Sequence, residues 1–237
     1  MTTQTALRPQ TLPEGFVYLR DIDPTIIQEA RYALSHNFVG RPIPGYDAPV
    51  IIVTDAVALA LKAVQEELKL FHLTLKVYDG YRPQDAVDAF AEWAADPTDQ
   101  LMKAEFYPGI DKKNLFEAGY IAKRSSHTRG SAVDLTIVSL PVPSQPTWNP
   151  GDPVLDGRLP KDKRFPDNSI DMGTGFDCLD EMSHTMNPAL PPEVRANRLL
   201  LKTLMEKHGF ANYWREWWHF GLVNEPYPET YFNFPVR

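Results

Sequence analysis

SSHTRGSAVDLTI, residues 125–137, decides how this chain is read. His127 and Asp134 lie seven positions apart. On one helix that spacing would separate them by about two turns, roughly 10 Å, too far to share one ion. Gly130 between them permits a tight turn instead, so the segment reads as a loop histidine followed by a strand aspartate. Within the expected strand 132–138, Asp134 shares a face with Ala132 and Thr136, while Val133, Leu135 and Ile137 point the other way. A carboxylate in so apolar a strand is costly unless it is paired or bound to metal. Taken singly, each residue is more often a satisfied polar group than a ligand.

Two further stretches change that balance. EWWHF, 216–220, supplies Glu216 and His219 beside a Trp-rich strand expected over 217–223. His219 as third ligand gives a His, Asp, His set, which leaves a fourth position for water, as a catalytic zinc site requires. Zinc lowers the pKa of bound water toward about 7. A nearby carboxylate that is not itself a ligand can take the water's proton, which suits Glu216; the bland alternative is a surface Glu beside a core His. YDGYRP, 78–83, places Arg82 after a strand end and a glycine. A guanidinium there could stabilise an oxyanion, although an Arg after a strand is more often a surface ion pair.

Outward from these motifs the pattern is mixed. FVYL, 16–19, reads as an edge strand. Thr54 or Asp55 can cap a helix whose apolar positions 57, 61, 64 and 68 form one stripe. Residues 73–80 alternate as a strand, Pro83 opens a helix over 84–94, and a helix over 193–208 ends at Gly209. Residues 96–124 read as a polar connection, 139–170 as a long Pro/Gly/Asp loop, and 1–14 as a flexible N-terminal extension. Helices and strands interleave without a βαβ period. The expectation is one α+β domain over 1–237, a central antiparallel sheet flanked by helices.

Composition narrows the function classes. Formal net charge is −7 and the pI is about 5.4, so a nucleic-acid partner is not expected. Cys178 is the single cysteine; it excludes an intramolecular disulfide and a cysteine-based zinc site, and reads as a small buried hydrophobe. MTTQTALRPQ has no apolar signal core, and no stretch approaches 18 uninterrupted apolar residues. No membrane span and a cytoplasmic location are the expectations. His36, His72, His184 and His208 have no partner at ligand spacing; His72 and His208 read as surface residues, and His184 as a candidate for the pocket wall. The Trp and Tyr residues of 213–232 read as core packing.

Together, S-x-H-x-x-G-x-A-x-D (Ser125, His127, Gly130, Ala132, Asp134) and E-x-x-H (Glu216, His219) resemble the metallopeptidase family of D-Ala-D-Ala dipeptidases and carboxypeptidases. DGYRP, EWWH and the FPV-ending tail resemble its dipeptidase branch, the enzymes linked to vancomycin resistance and D-Ala-D-Ala salvage. The likeness runs from about residue 16 to the C-terminus. It implies a hedgehog/DD-peptidase-like fold and one zinc ion per chain on His127, Asp134 and His219. It implies Glu216 as catalytic base and Arg82 as carbonyl or oxyanion stabiliser. DMGTGFD, 171–177, resembles the segment whose last aspartate meets the substrate ammonium, which points to Asp177. Tyr32 and Ser125 align with substrate-contacting residues, Ser125 near the substrate carboxylate, and Asp79 with an acid that orients Arg82.

The implied substrate is a small dipeptide, D-Ala-D-Ala first. Two alternatives stand beside it. One is a D,D-carboxypeptidase acting on peptidoglycan stem peptides, against which Asp177 and Tyr32 suit a free amino end. The other is a non-catalytic zinc-stabilised binding module, which would need neither Glu216 nor Arg82. One departure from the dipeptidase pattern is the extra length at roughly 141–168, carrying Trp148. Lying between two site segments, it is expected to cover or reshape the cleft as an active-site loop insertion.

Overall fold

The computed structural model describes residues 10–237. In chain order the regular elements are β1 (Phe16–Tyr18), α1 (Leu19–Ile22), β2 (Ile27–Gln28), β3 (Ile52–Thr54), α2 (Asp55–Lys69), β4 (Leu73–Asp79), α3 (Gln84–Ala95), α4 (Lys103–Phe106), β5 (Ala132–Ser139), α5 (Pro192–Lys207), β6 (Phe210–Asn212) and β7 (His219–Leu222). Strands β1 and β3 form a two-stranded sheet; the main sheet runs β2-β4-β5-β7-β6. The class is α+β, one domain with its sheets flanked by helices. The main sheet is antiparallel except at its edge, where β2 pairs with β4 in parallel. The connection from β2 to β4 carries α2, and so long a crossover is what parallel pairing needs.

Helix α2 buries the stripe expected of it. Val57, Leu61, Val64 and Leu68 are fully buried, each contributing about 1.5–3 kcal/mol of transfer energy. Gln65 locks this helix to β4: its Oε1 accepts from Leu75 N at 2.8 Å and its Nε2 donates to Thr74 Oγ1 at 2.8 Å. Thr54 stands at the N-cap, but its hydroxyl makes no capping bond. Pro191 and Pro192 start α5, and Gly209 leaves it with φ +90.

Several expectations are corrected. The extension over 1–14 lies outside the described residues for its first nine; the rest is tied down. Gln10 Nε2 donates to Pro235 O at 2.6 Å, and Glu14 O accepts from Tyr227 Oη at 2.8 Å. The 96–124 connection is not simply polar: Met102, Phe106, Tyr107, Leu115 and Ile121 are buried in it, and Lys112 Nζ donates to the carbonyls of Asp96 and Asp99 at 2.7 and 3.0 Å. The last strand starts at His219, because Trp217 and Trp218 sit in a turn, Trp217 N donating to Ser183 O.

Residues 140–170 carry no helix or strand. A buried ionic cluster holds the loop. Lys76, 1% exposed, reaches Glu29 at 3.0 Å, Asp167 at 2.9 Å and Asn168 at 2.8 Å. Arg31 Nη2 meets Asp167 at 2.9 Å, and Tyr78 Oη donates to the same carboxylate at 2.9 Å. Farther out, Trp148 stacks on His36, ring centres 5.1 Å apart.

Candidate active site

Strand register assembles the site. Asp134 in β5 is paired with Asp79 in β4 and with His219 in β7, so three neighbouring strands set these residues in one row. A bulge between Val77 and Asp79 shifts the β4 register to make this alignment. His127 arrives on the 3-10 turn Ser126–Arg129, which Gly130 closes with φ +72. A side chain at 130 would be strained by that φ and would also collide with the Phe16 ring. The turn and the row therefore meet.

Three donor atoms converge. His127 Nε2 lies 3.1 Å from His219 Nδ1 and 3.3 Å from Asp134 Oδ1, and His219 Nδ1 lies 3.0 Å from the same oxygen. Zinc bonds of roughly 2.0–2.1 Å at tetrahedral angles put ligand atoms about 3.3 Å apart. Two imidazole nitrogens and a carboxylate at this spacing fit a divalent metal. His127 Nδ1–H donates to Gly80 O at 2.7 Å, which leaves Nε2 with its lone pair toward the other donors. Burial lowers the His219 pKa and favours the neutral, metal-binding ring. Burial alone would raise Asp134; the two imidazoles outweigh it and hold that carboxyl well below the usual carboxylate range.

Arg82 joins the two acids of the row. Its Nη2 lies 2.9 Å from Asp79 Oδ2 and 3.3 Å from Asp134 Oδ2, and its Nε donates to Asp79 Oδ2 at 2.9 Å. Tyr46 Oη donates to the other Asp79 oxygen at 2.7 Å. Burial raises Asp79, opposed by Arg82. Glu216 lies outside the triad: its Oε2 is 3.9 Å from His219 Nδ1. Burial, with the charges of Asp134 and Asp177, pushes its pKa well above the ordinary range.

Asp177 adopts φ +57 and is 4% exposed. Tyr32 Oη donates to its Oδ2 at 2.8 Å, while Oδ1 accepts no hydrogen bond among the described residues. Burial and the nearby charge of Asp134 push the Asp177 carboxyl up to about 8. Ser125 caps the 3-10 turn, its Oγ accepting from His127 N at 3.2 Å.

All nine residues singled out from the sequence except Asp79 line one cavity of about 530 Å³; Asp79 stands behind Arg82. A volume of this size suits a small ligand. Other walls went unread. Phe116, Gly119, Tyr120, Ile121 and Arg124 come from the connection thought to be polar, and Tyr213 from the aromatics assigned to the core. The available signal was the run of aromatic and apolar residues just ahead of the SxH motif. Trp214 is 58% exposed, also not core. His184 lines a neighbouring hollow with Trp214, not this cavity. Nor does any residue of 140–170 line it: the insertion does not cover the cleft, because its ionic anchors fix it against β2 and β4.

A three-donor set with a free carboxylate beside it, inside such a cleft, is the arrangement that metal-assisted hydrolysis requires. Sequence comparison narrows the class. A family model described as D-ala-D-ala dipeptidase matches residues 13–141 and 161–237. A D-alanyl-D-alanine dipeptidase of Enterococcus faecalis is 40% identical over 225 residues, covering 95% of this chain and 100% of the relative. One from Enterococcus faecium is 37% identical over 223 residues, covering 94% and 98%. One from Streptomyces coelicolor is 38% identical over 221 residues, covering 93% and 98%. The chain belongs to the D-Ala-D-Ala dipeptidase family of peptidases, and it is a hydrolytic enzyme. The break in the family match, 142–160, falls inside the loop anchored by Lys76. Among the described residues no helix is long and apolar enough to cross a membrane.

Proposed function

We propose that this protein is a zinc-dependent dipeptidase acting on D-Ala-D-Ala, with His127, Asp134 and His219 as the ligands of one zinc ion. The observation that carries the reading is the triangle of donors 3.0–3.3 Å on a side, with Glu216 next to it and a buried Asp177 in the same cleft. Zinc, when bound, supplies a Lewis acid that polarises a carbonyl and makes water more acidic.

The chain's own residues do the rest. Asp177 Oδ1 takes the substrate ammonium, with Oδ2 steadied by Tyr32. Ser125 keeps its hydroxyl proton, since its Oγ only accepts from His127 N, and donates toward the substrate carboxylate. Arg82, held by Asp79, meets the developing oxyanion. Glu216 takes one proton from the attacking water as the C–O bond forms. It returns that proton to the leaving amine as the C–N bond breaks, so no covalent enzyme intermediate is needed.

The free amino end favours a dipeptide over a stem peptide. An acylated nitrogen brings Asp177 no cation, so a stem peptide forgoes the charge-assisted contact that a free ammonium makes there. The test is Glu216→Gln measured for zinc content and turnover, with N-acetyl-D-Ala-D-Ala as comparison substrate. Full zinc with kcat lowered by about 10²–10⁴ is expected, as is restoration of chelated wild type by zinc. Wild-type rates in Glu216→Gln, or faster hydrolysis of the acetylated substrate, would overturn the assignment.

A further inference from the structure

The charges of the cleft are lopsided. Asp134, Asp177 and Glu216 line it, and its Arg82 is already paired with Asp79 and Asp134. A dipeptide also brings a carboxylate, for which none of these acids is a partner. Imidazoles apart, Arg124 is the other basic side chain on the wall, and it makes no ion pair among the described residues.

Arg124 is braced without being neutralised. Its guanidinium lies 5.0 Å from the centre of the Tyr231 ring. That ring is fixed by Arg129, whose Nη1 donates to Tyr231 Oη at 3.1 Å. Arg129 is itself satisfied, pairing with both oxygens of Glu225 at 2.8 Å. Backbone bonding from Phe232 N to Thr128 O, 3.0 Å, ties the tail that carries Tyr231 to the turn that carries His127. A planar cation is therefore held at the mouth, next in sequence to Ser125, with its donors free.

We propose that Arg124 is a specificity residue that binds the C-terminal carboxylate of the substrate, so that a free acid is favoured at that end. This rests on the dipeptide reading above. The fork of guanidinium donors matches both carboxylate oxygens, which a lysine ammonium does not. Asp177 and Arg124 would then bracket the peptide by charge at its two ends and limit its length.

The experiment uses the zinc-loaded full chain with D-Ala-D-Ala and with its C-terminal amide, comparing wild type, Arg124→Met and Arg124→Lys. Loss of a charge-assisted contact predicts a KM for D-Ala-D-Ala about tenfold higher in Arg124→Met, with kcat within about twofold. On the amide, the variant should match wild type. Arg124→Lys should fall between, and zinc content and thermal midpoint should be unchanged in both. Equal losses on the two substrates, or an unchanged KM for the free acid, would overturn the Arg124 assignment alone. A zinc-loaded wild type that hydrolyses neither substrate would overturn the dipeptide reading together with it.

Discussion

Asp79 and Asp134 stand directly opposite each other across β4 and β5, 1% and 2% exposed, with one guanidinium between them. Two buried like charges on facing strands repel, so Arg82 has a structural duty beside any catalytic one. Arg82→Met should lose about 3–5 kcal/mol of stability in metal-free protein, as expected when a buried ion pair loses one partner. Arg82→Lys should recover part of that, because an ammonium keeps the charge without the fork. Urea denaturation of the three proteins measures it. If Arg82→Met is as stable as wild type, the bridge carries no structural load.

Asp177 makes stability depend on pH with a definite sign. Its folded carboxyl titrates at about 8 because it is buried, against 3.8 for an ordinary aspartate. Between those values the folded state holds a proton that the unfolded state has released. Its contribution is therefore fully present below about pH 4 and fades as pH rises toward 8. Asp177→Asn keeps an acceptor for Tyr32 and removes the titration. The stability of Asp177→Asn relative to wild type should climb by about 1 kcal/mol per pH unit from pH 5 to 8. Denaturation curves of both metal-free proteins that run parallel across that range would refute this.

What could be read in advance was local chemistry. His127, Gly130 and Asp134 lie within one short stretch, and the turn that Gly130 closes is a property of that stretch. The register that sets Asp134 beside His219 joins residues 85 positions apart, and no local pattern encodes it. Segment 115–124 looked polar because its buried residues, Leu115 and Ile121, follow neither helical nor strand spacing. The insertion was misplaced for an electrostatic reason. Lys76, Arg31 and Asp167 lie far apart along the chain, yet they meet as the buried anchors that hold the loop on the β2–β4 side of the sheet.

The wall that sequence reading missed has its own latch. Tyr213 lines the cleft, and its Oη donates to Gly119 O at 3.0 Å, hooking the 116–121 segment to the β6–β7 connection. Tyr213→Phe deletes that bond and leaves the ring against His219. One such bond is worth about 1 kcal/mol, or about fivefold. A KM for D-Ala-D-Ala raised by about that factor is expected, with zinc content unchanged, in steady-state kinetics on zinc-loaded enzyme. A KM equal to wild type would show that the wall holds its place without the hook.

The insertion invites the opposite expectation. Trp148 packs on His36 at 5.1 Å, and His36 Nε2 meets buried Glu105 at 2.9 Å, so the loop's aromatic tip covers a buried polar pair rather than the cleft. The family match omits 142–160, so that cover is an addition to a site formed by matched residues. Trp148→Ala removes a stacked ring, a loss of about 1 kcal/mol, and opens His36 and Glu105 to water. Its thermal midpoint should fall, while kcat/KM for D-Ala-D-Ala stays within about twofold of wild type, since no residue of 140–170 lines the cavity. A large drop in kcat/KM at unchanged stability would return the insertion to the active site.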